Sequence, residues 1–73
     1  MSPSAIPRAS GAEVVRALEK DGFEVVGTRG SHCKMRKNSA VVIVPLHRNL
    51  ATGTMASILR QAGMSADQLR ALL

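Results

Sequence analysis

Apolar positions along this chain change period twice, and the changes divide it into helix, sheet and helix. Val14, Val15 and Leu18 fall on one helical stripe, with Arg16, Glu19 and Lys20 outside it. Ser10-Gly11-Ala12-Glu13 precedes them as a capping box, in which the serine oxygen accepts from an orphan first-turn amide while Glu13 reaches back to the Ser10 amide. Gly22 is a natural stop. From Phe23 the period drops toward two and β-branched residues gather, which predicts a strand over Phe23 to Thr28. Gly27 and Gly30 bracket a turn, Ser31 to Arg36 reads as the second strand of a hairpin, and Lys37-Asn38-Ser39 reads as the next turn. Ala40 to Val44 follows as a third strand, ended by Pro45, which cannot donate to a ladder. His47 to Thr52 reads as a loop. The helical period returns near Thr54, with Met55, Ile58, Leu59 and Ala62 at the spacing of a core-facing stripe. Gly63 closes that helix, and Ser65-Ala66-Asp67-Gln68 opens a short last one with Leu69, Leu72 and Leu73 on its apolar side.

Three strands joined by short turns predict an antiparallel meander, and two helices that are each apolar on one side predict that both cover the same face of it. The fold class is therefore α+β, with one sheet face left open. Parity assigns residues to faces. If Cys33 and Met35 point at the helices, His32, Lys34 and Arg36 stand on the open face, about 6.6 Å apart along the strand. Ala40-Val41-Val42-Ile43-Val44 is apolar on both parities, so either it is a central strand buried on both sides or one Val/Ile pair lies beside His32. Residues 1–9, with two prolines and no period, are expected to be a flexible leader, and residues 10–73 a single domain.

Composition narrows the function classes. At 73 residues the chain holds one small core, whose net return is typically about 3–5 kcal/mol, so a stabilising partner fits. The single cysteine, Cys33, cannot form an internal disulfide, which suits a reducing cytoplasm. The longest apolar run, the seven residues Ala40 to Leu46, falls far short of the roughly 18 needed to span a bilayer. Met1 to Ser4 lack the basic and apolar regions of a signal peptide. With Phe23 as the one aromatic residue there is no stacking platform for splayed-out bases.

The charge is segregated. Ten Lys and Arg against five Asp and Glu leave +5 overall. Residues Gly27 to Arg48 hold Arg29, Lys34, Arg36, Lys37 and Arg48 with no acidic residue, so the whole excess lies there. A one-sign strand surface suits a phosphate backbone better than other anionic partners. His32 within it has chemical content, because histidine exchanges protons near neutral pH. RNA cleavage by its own 2′-OH needs a base for the hydroxyl proton and cationic charge around the phosphorane-like transition state. The bland reading is a surface histidine on a non-catalytic RNA-binding module that uses the same basic face. A third reading is a protein that mainly binds a partner. Strand parity counts against a Cys33 thiol activated by His32, since adjacent strand residues point to opposite faces. The same geometry and the missing fourth ligand leave no zinc site with His47. No GxxxxGK[ST] loop is present. No metal and no cofactor are expected.

These residues also carry a resemblance. Gly22-Phe23-Glu24-Val25-Val26, then Arg29-Gly30-Ser31-His32 with Arg36 four positions on, resemble HicA toxins, the ribonuclease half of HicA–HicB toxin–antitoxin systems. Val44-Pro45-Leu46-His47 and the run from Gly53 to Ser65 look like the second signature of that family. The similarity extends over nearly all of the chain from Ser10 to Leu73. It implies a fold similar to double-stranded-RNA-binding domains, α-β-β-β-α with a short C-terminal helix, and cleavage of mRNA with His32 as the catalytic residue. Gly30 and Ser31 would then shape the turn that presents His32, and Arg29, Lys34, Arg36 and Lys37 would position phosphates. His47 matches a family position and is given no role beyond phosphate contact. The resemblance further implies a HicB-type antitoxin; if the third strand is not simply a buried central strand, its apolar strip with a basic rim is where that antitoxin would dock, with complementary acidic charge. Cys33 after the histidine and the short Lys37-Asn38-Ser39 turn depart from the pattern, and neither removes a motif residue.

Overall fold

The computed structural model describes residues 5–73. Its elements run α1 (Gly11–Lys20), β1 (Glu24–Arg29), β2 (His32–Lys37), β3 (Ala40–Pro45), α2 (Thr52–Ala62) and α3 (Ala66–Leu72). The strands form one antiparallel sheet in the order β1-β2-β3. This is the expected α+β arrangement of a helix, a meander and two further helices.

Both hairpins close with two residues. Gly30-Ser31 joins Arg29 to His32, and Asn38-Ser39 joins Lys37 to Ala40. The first residue of each turn has positive φ, +57° at Gly30 and +54° at Asn38. Glycine adopts that conformation without a Cβ penalty, and asparagine is among the side chains that tolerate it best. Lys37 therefore belongs to the strand rather than to the turn.

Both capping boxes form. The Ser10 hydroxyl accepts from the Glu13 amide at 3.1 Å while the Glu13 carboxylate accepts from the Ser10 amide at 2.9 Å. Ser65 and Gln68 repeat the arrangement at the start of α3. Gly63 ends α2 in the left-handed conformation. Helix α2 starts at Thr52, two residues before the expected point, with Ala51 as an N-cap that offers no side-chain acceptor.

Helices and sheet share one core. Val14, Leu18, Met35, Val42, Val44, Met55, Ile58 and Leu69 are fully buried, and Phe23, immediately before β1, is buried among them. Each such aliphatic side chain contributes about 1.5–3 kcal/mol by leaving water. The helices cover β2 and β3 on one side, whereas β1 overhangs them with all six residues exposed.

Pro45 forms the last position of β3 rather than standing outside it. The Ile43 amide turns away from β2 and donates to Gln61 Oε1 at 2.9 Å. By parity the Pro45 nitrogen also faces outward, where an edge strand needs no donor. Of the segment read as a leader, residues 1–4 lie outside the described residues. In the remainder Ile6 packs against the core, Ala9 is buried, and the Ala9 carbonyl accepts from the Leu50 amide at 3.1 Å.

Candidate nucleic-acid interface

Strand β2 alternates as parity requires: His32, Lys34 and Arg36 are exposed, while Cys33 and Met35 are buried. Cys33 is thus a core residue, sealed from His32 by the sheet. Pairing on both sides builds three rungs on the open face. Arg29, His32 and Pro45 form the first; Gly27, Lys34 and Ile43 the second; Glu24, Arg36 and Val41 the third. Cross-strand partners project to the same side of a sheet, so each rung is a local cluster.

A β-bulge decides who takes part. The register shifts between Val25 and Gly27, leaving Val26 as the extra residue. Three positions separate Glu24 from Gly27, an odd spacing that would put them on opposite faces of a regular strand; the bulge puts both on the open face. Glu24 is consequently the one acidic residue on these rungs, opposite Arg36. The strip carries fewer net charges than its sequence suggests.

The apolar strand splits cleanly. Val42 and Val44 enter the core, while Val41 and Ile43 remain 38% and 39% exposed on the open face. Ile43, with Gly27, Thr28, Arg29, His32 and Lys34, lines an open hollow of about 660 Å³. No acidic side chain lines it. Among the described residues none of Arg29, His32, Lys34 and Arg36 makes an ion pair.

Lys37 does not join this group. Its parity is that of Cys33 and Met35, and its ammonium sits on the helix side, 3.3 Å from Asp21 Oδ2 and 6.0 Å from the centre of the Phe23 ring. Continuation of the strand through Lys37 causes this. Treated as a turn residue, it counted toward the basic patch; as the sixth residue of β2, it points to the other face.

Gly30 and Ser31 form the turn that sets His32 at the start of β2. The Ser31 carbonyl accepts from the Leu46 amide at 2.6 Å, so the segment after β3 folds back along the tip of the hairpin. His47 follows with an exposed side chain and a carbonyl that accepts from the Gly11 amide at 2.9 Å. No group of three or more His, Cys, Asp and Glu residues able to hold a metal exists among the described residues, and no helix there is long and apolar enough to cross a membrane.

Sequence reasoning did not single out Gly27 as part of the site or Glu24 as a neighbour of Arg36. The signal for both was the Val25-Val26-Gly27 stretch, where a glycine inside a strand pattern marks a bulge or a close approach.

A search of the curated proteins finds no significant match. The family model described as HicA toxin of bacterial toxin–antitoxin matches residues 11–64, the stretch from the first residue of α1 to just past the end of α2. That stretch takes in all three rungs and both turns of the meander, and on this match the chain belongs to the HicA toxin family.

Proposed function

We propose that this toxin is an endoribonuclease that cleaves mRNA in the cytoplasm, with His32 as its general acid/base. The observation that carries the reading is the first two rungs: an exposed imidazole beside Arg29 and Lys34 around a hollow free of acidic lining. His32 takes the proton of a ribose 2′-OH, the 2′-oxygen bonds to the adjacent phosphorus, and the bond to the 5′-oxygen breaks. The products are a 2′,3′-cyclic phosphate and a 5′-hydroxyl whose proton comes from the solvent to which the face is open. Arg29 and Lys34 stabilise the charge that develops on the phosphoryl oxygens. Arg36, about 13 Å from His32 along β2, serves a more distant phosphate beside Glu24.

Membership in a toxin–antitoxin family implies an antitoxin partner. Val41 and Ile43, exposed and bordered by Lys34 and Arg36, suit a HicB-type protein whose acidic groups would cover the same face and block His32. The discriminating experiment compares the protein with His32→Ala on labelled single-stranded RNA in EDTA. Cleavage by the parent alone is expected. Equal cleavage by both removes His32 from the mechanism, and binding without cleavage by either makes the protein an RNA-binding module.

A further inference from the structure

Gly27 stands in β1 beside the bulge at Val26, where glycine weakens a strand, yet neither its backbone conformation nor crowding by neighbouring atoms demands a glycine there. Its φ is not positive, and a Cβ built on it would meet nothing within 4 Å. The space that this Cβ would occupy is the hollow, with Lys34 and Ile43 completing the same rung and Arg29 and His32 forming the next. We infer that Gly27 keeps the floor of a nucleobase subsite open, so that one unstacked base of single-stranded RNA lies over Gly27 and Ile43 while Arg29 and Lys34 hold its 3′-phosphate beside His32.

The inference rests on the RNA reading above and adds where the base goes. The volume, about 660 Å³, lies within the roughly 300–1,000 Å³ usual for small-molecule sites. A base extruded from its stack needs a flat or apolar surface, which proteins commonly supply with aromatic rings or arginine planes. Phe23, the one aromatic residue of the chain, is buried on the far side of the sheet. The exposed Ile43 side chain, the bare Gly27 backbone and the Arg29 guanidinium are what the open face offers instead. Cationic walls without an acidic residue complement an anionic nucleotide.

The test uses the full-length ¹⁵N-labelled protein titrated with adenosine 3′-monophosphate and, separately, with inorganic phosphate. The nucleotide is expected to shift the amides of Gly27, Lys34 and Ile43. Gly27→Val, which suits strand conformation and fills the hollow, is expected to weaken nucleotide binding by about ten-fold or more while leaving phosphate binding unchanged. Ile43→Thr keeps the β-branched shape, removes apolar floor, and should weaken the nucleotide in the same direction. Equal nucleotide affinity in parent and both variants, or shifts confined to other residues, overturns the subsite. RNA cleavage is scored in parallel. A parent that binds the nucleotide as described but cuts no RNA refutes the catalytic reading alone; a Gly27→Val variant that cuts RNA at the parental rate refutes the subsite alone.

Discussion

Gly11 and Pro45 meet backbone to backbone. The first residue of α1 lies so close to the end of β3 that a Cβ on Gly11 would come within 2.8 Å of the Leu46 Cα and closer still to the Pro45 carbonyl oxygen. Its amide also donates to the His47 carbonyl at 2.9 Å. Helix start and strand end are thereby fastened together at the end of the sheet that carries His32.

This contact reverses the usual effect of an alanine. Gly→Ala in an exposed helix gains up to about 1 kcal/mol, whereas at Gly11 it should cost about 1–3 kcal/mol because the backbone of Pro45 and Leu46 must move. Urea denaturation reads the sign directly. A Gly11→Ala protein as stable as the parent would mean that helix and strand are not in close contact.

His32→Ala is expected to reduce RNA cleavage by about 10²–10⁴-fold, the range for loss of a general acid/base. Because the side chain is exposed and lies outside the buried core, the urea midpoint and the affinity for an uncleavable 2′-deoxy substrate should stay near parental values. Loss of stability together with activity would assign His32 to the fold instead.

Two lysines three residues apart should behave differently. Lys34→Ala is expected to lower RNA affinity and reduce the slope of log K against log salt by about one. Lys37→Ala should leave that slope intact and cost only about 0.2–1 kcal/mol of stability, since its partner is the half-exposed Asp21. Equal loss of RNA affinity in both variants would place Lys37 on the wrong face here.

Gln61 on α2 covers the outer edge of β3 by accepting the Ile43 amide. Replacing it with alanine is expected to cost about 1 kcal/mol and to speed hydrogen exchange at Ile43 relative to Val42 and Val44, which face β2. Unchanged exchange at Ile43 would show that water serves that amide equally well.

Acid should loosen the start of α1. Hydrogen bonds from the Ser10 amide and hydroxyl, more than the nearby Arg16, hold the Glu13 carboxyl below its ordinary pKa. A carboxylate with a depressed folded pKa contributes stability that is present above its unfolded pKa and is lost as pH falls through the folded one. Stability of the parent should therefore fall more steeply than that of Glu13→Gln as pH drops below about 4.5, with the curves running parallel above it. Parallel curves down to pH 2 would remove the charged cap from the account.

Much of this arrangement was legible in the chain because it depends on short-range periodicity. Ser10 with Glu13 and Ser65 with Gln68 are spaced by helix geometry alone, and both pairs form. Alternation over Cys33 to Arg36 assigns faces correctly because a strand reverses its side chains at every residue. The same rule misplaces Lys37 when the strand is ended one residue early, and it cannot place Glu24 without knowing that Val26 is a bulge.

The sequence by itself determined the order of elements, the alternation that exposes His32 and Lys34, the concentration of positive charge between Gly27 and Arg48, and the family motifs. Each of these follows from residue identity and spacing within a few positions. Tertiary structure alone decided that Gly27 and Ile43 flank Lys34 on one rung, that Glu24 faces Arg36, that Lys37 is drawn to Asp21, and that Gly11 is held against Pro45. Those relationships join residues distant in sequence, and strand register, a single bulge and close backbone packing bring them together only when the whole sheet closes on its helices.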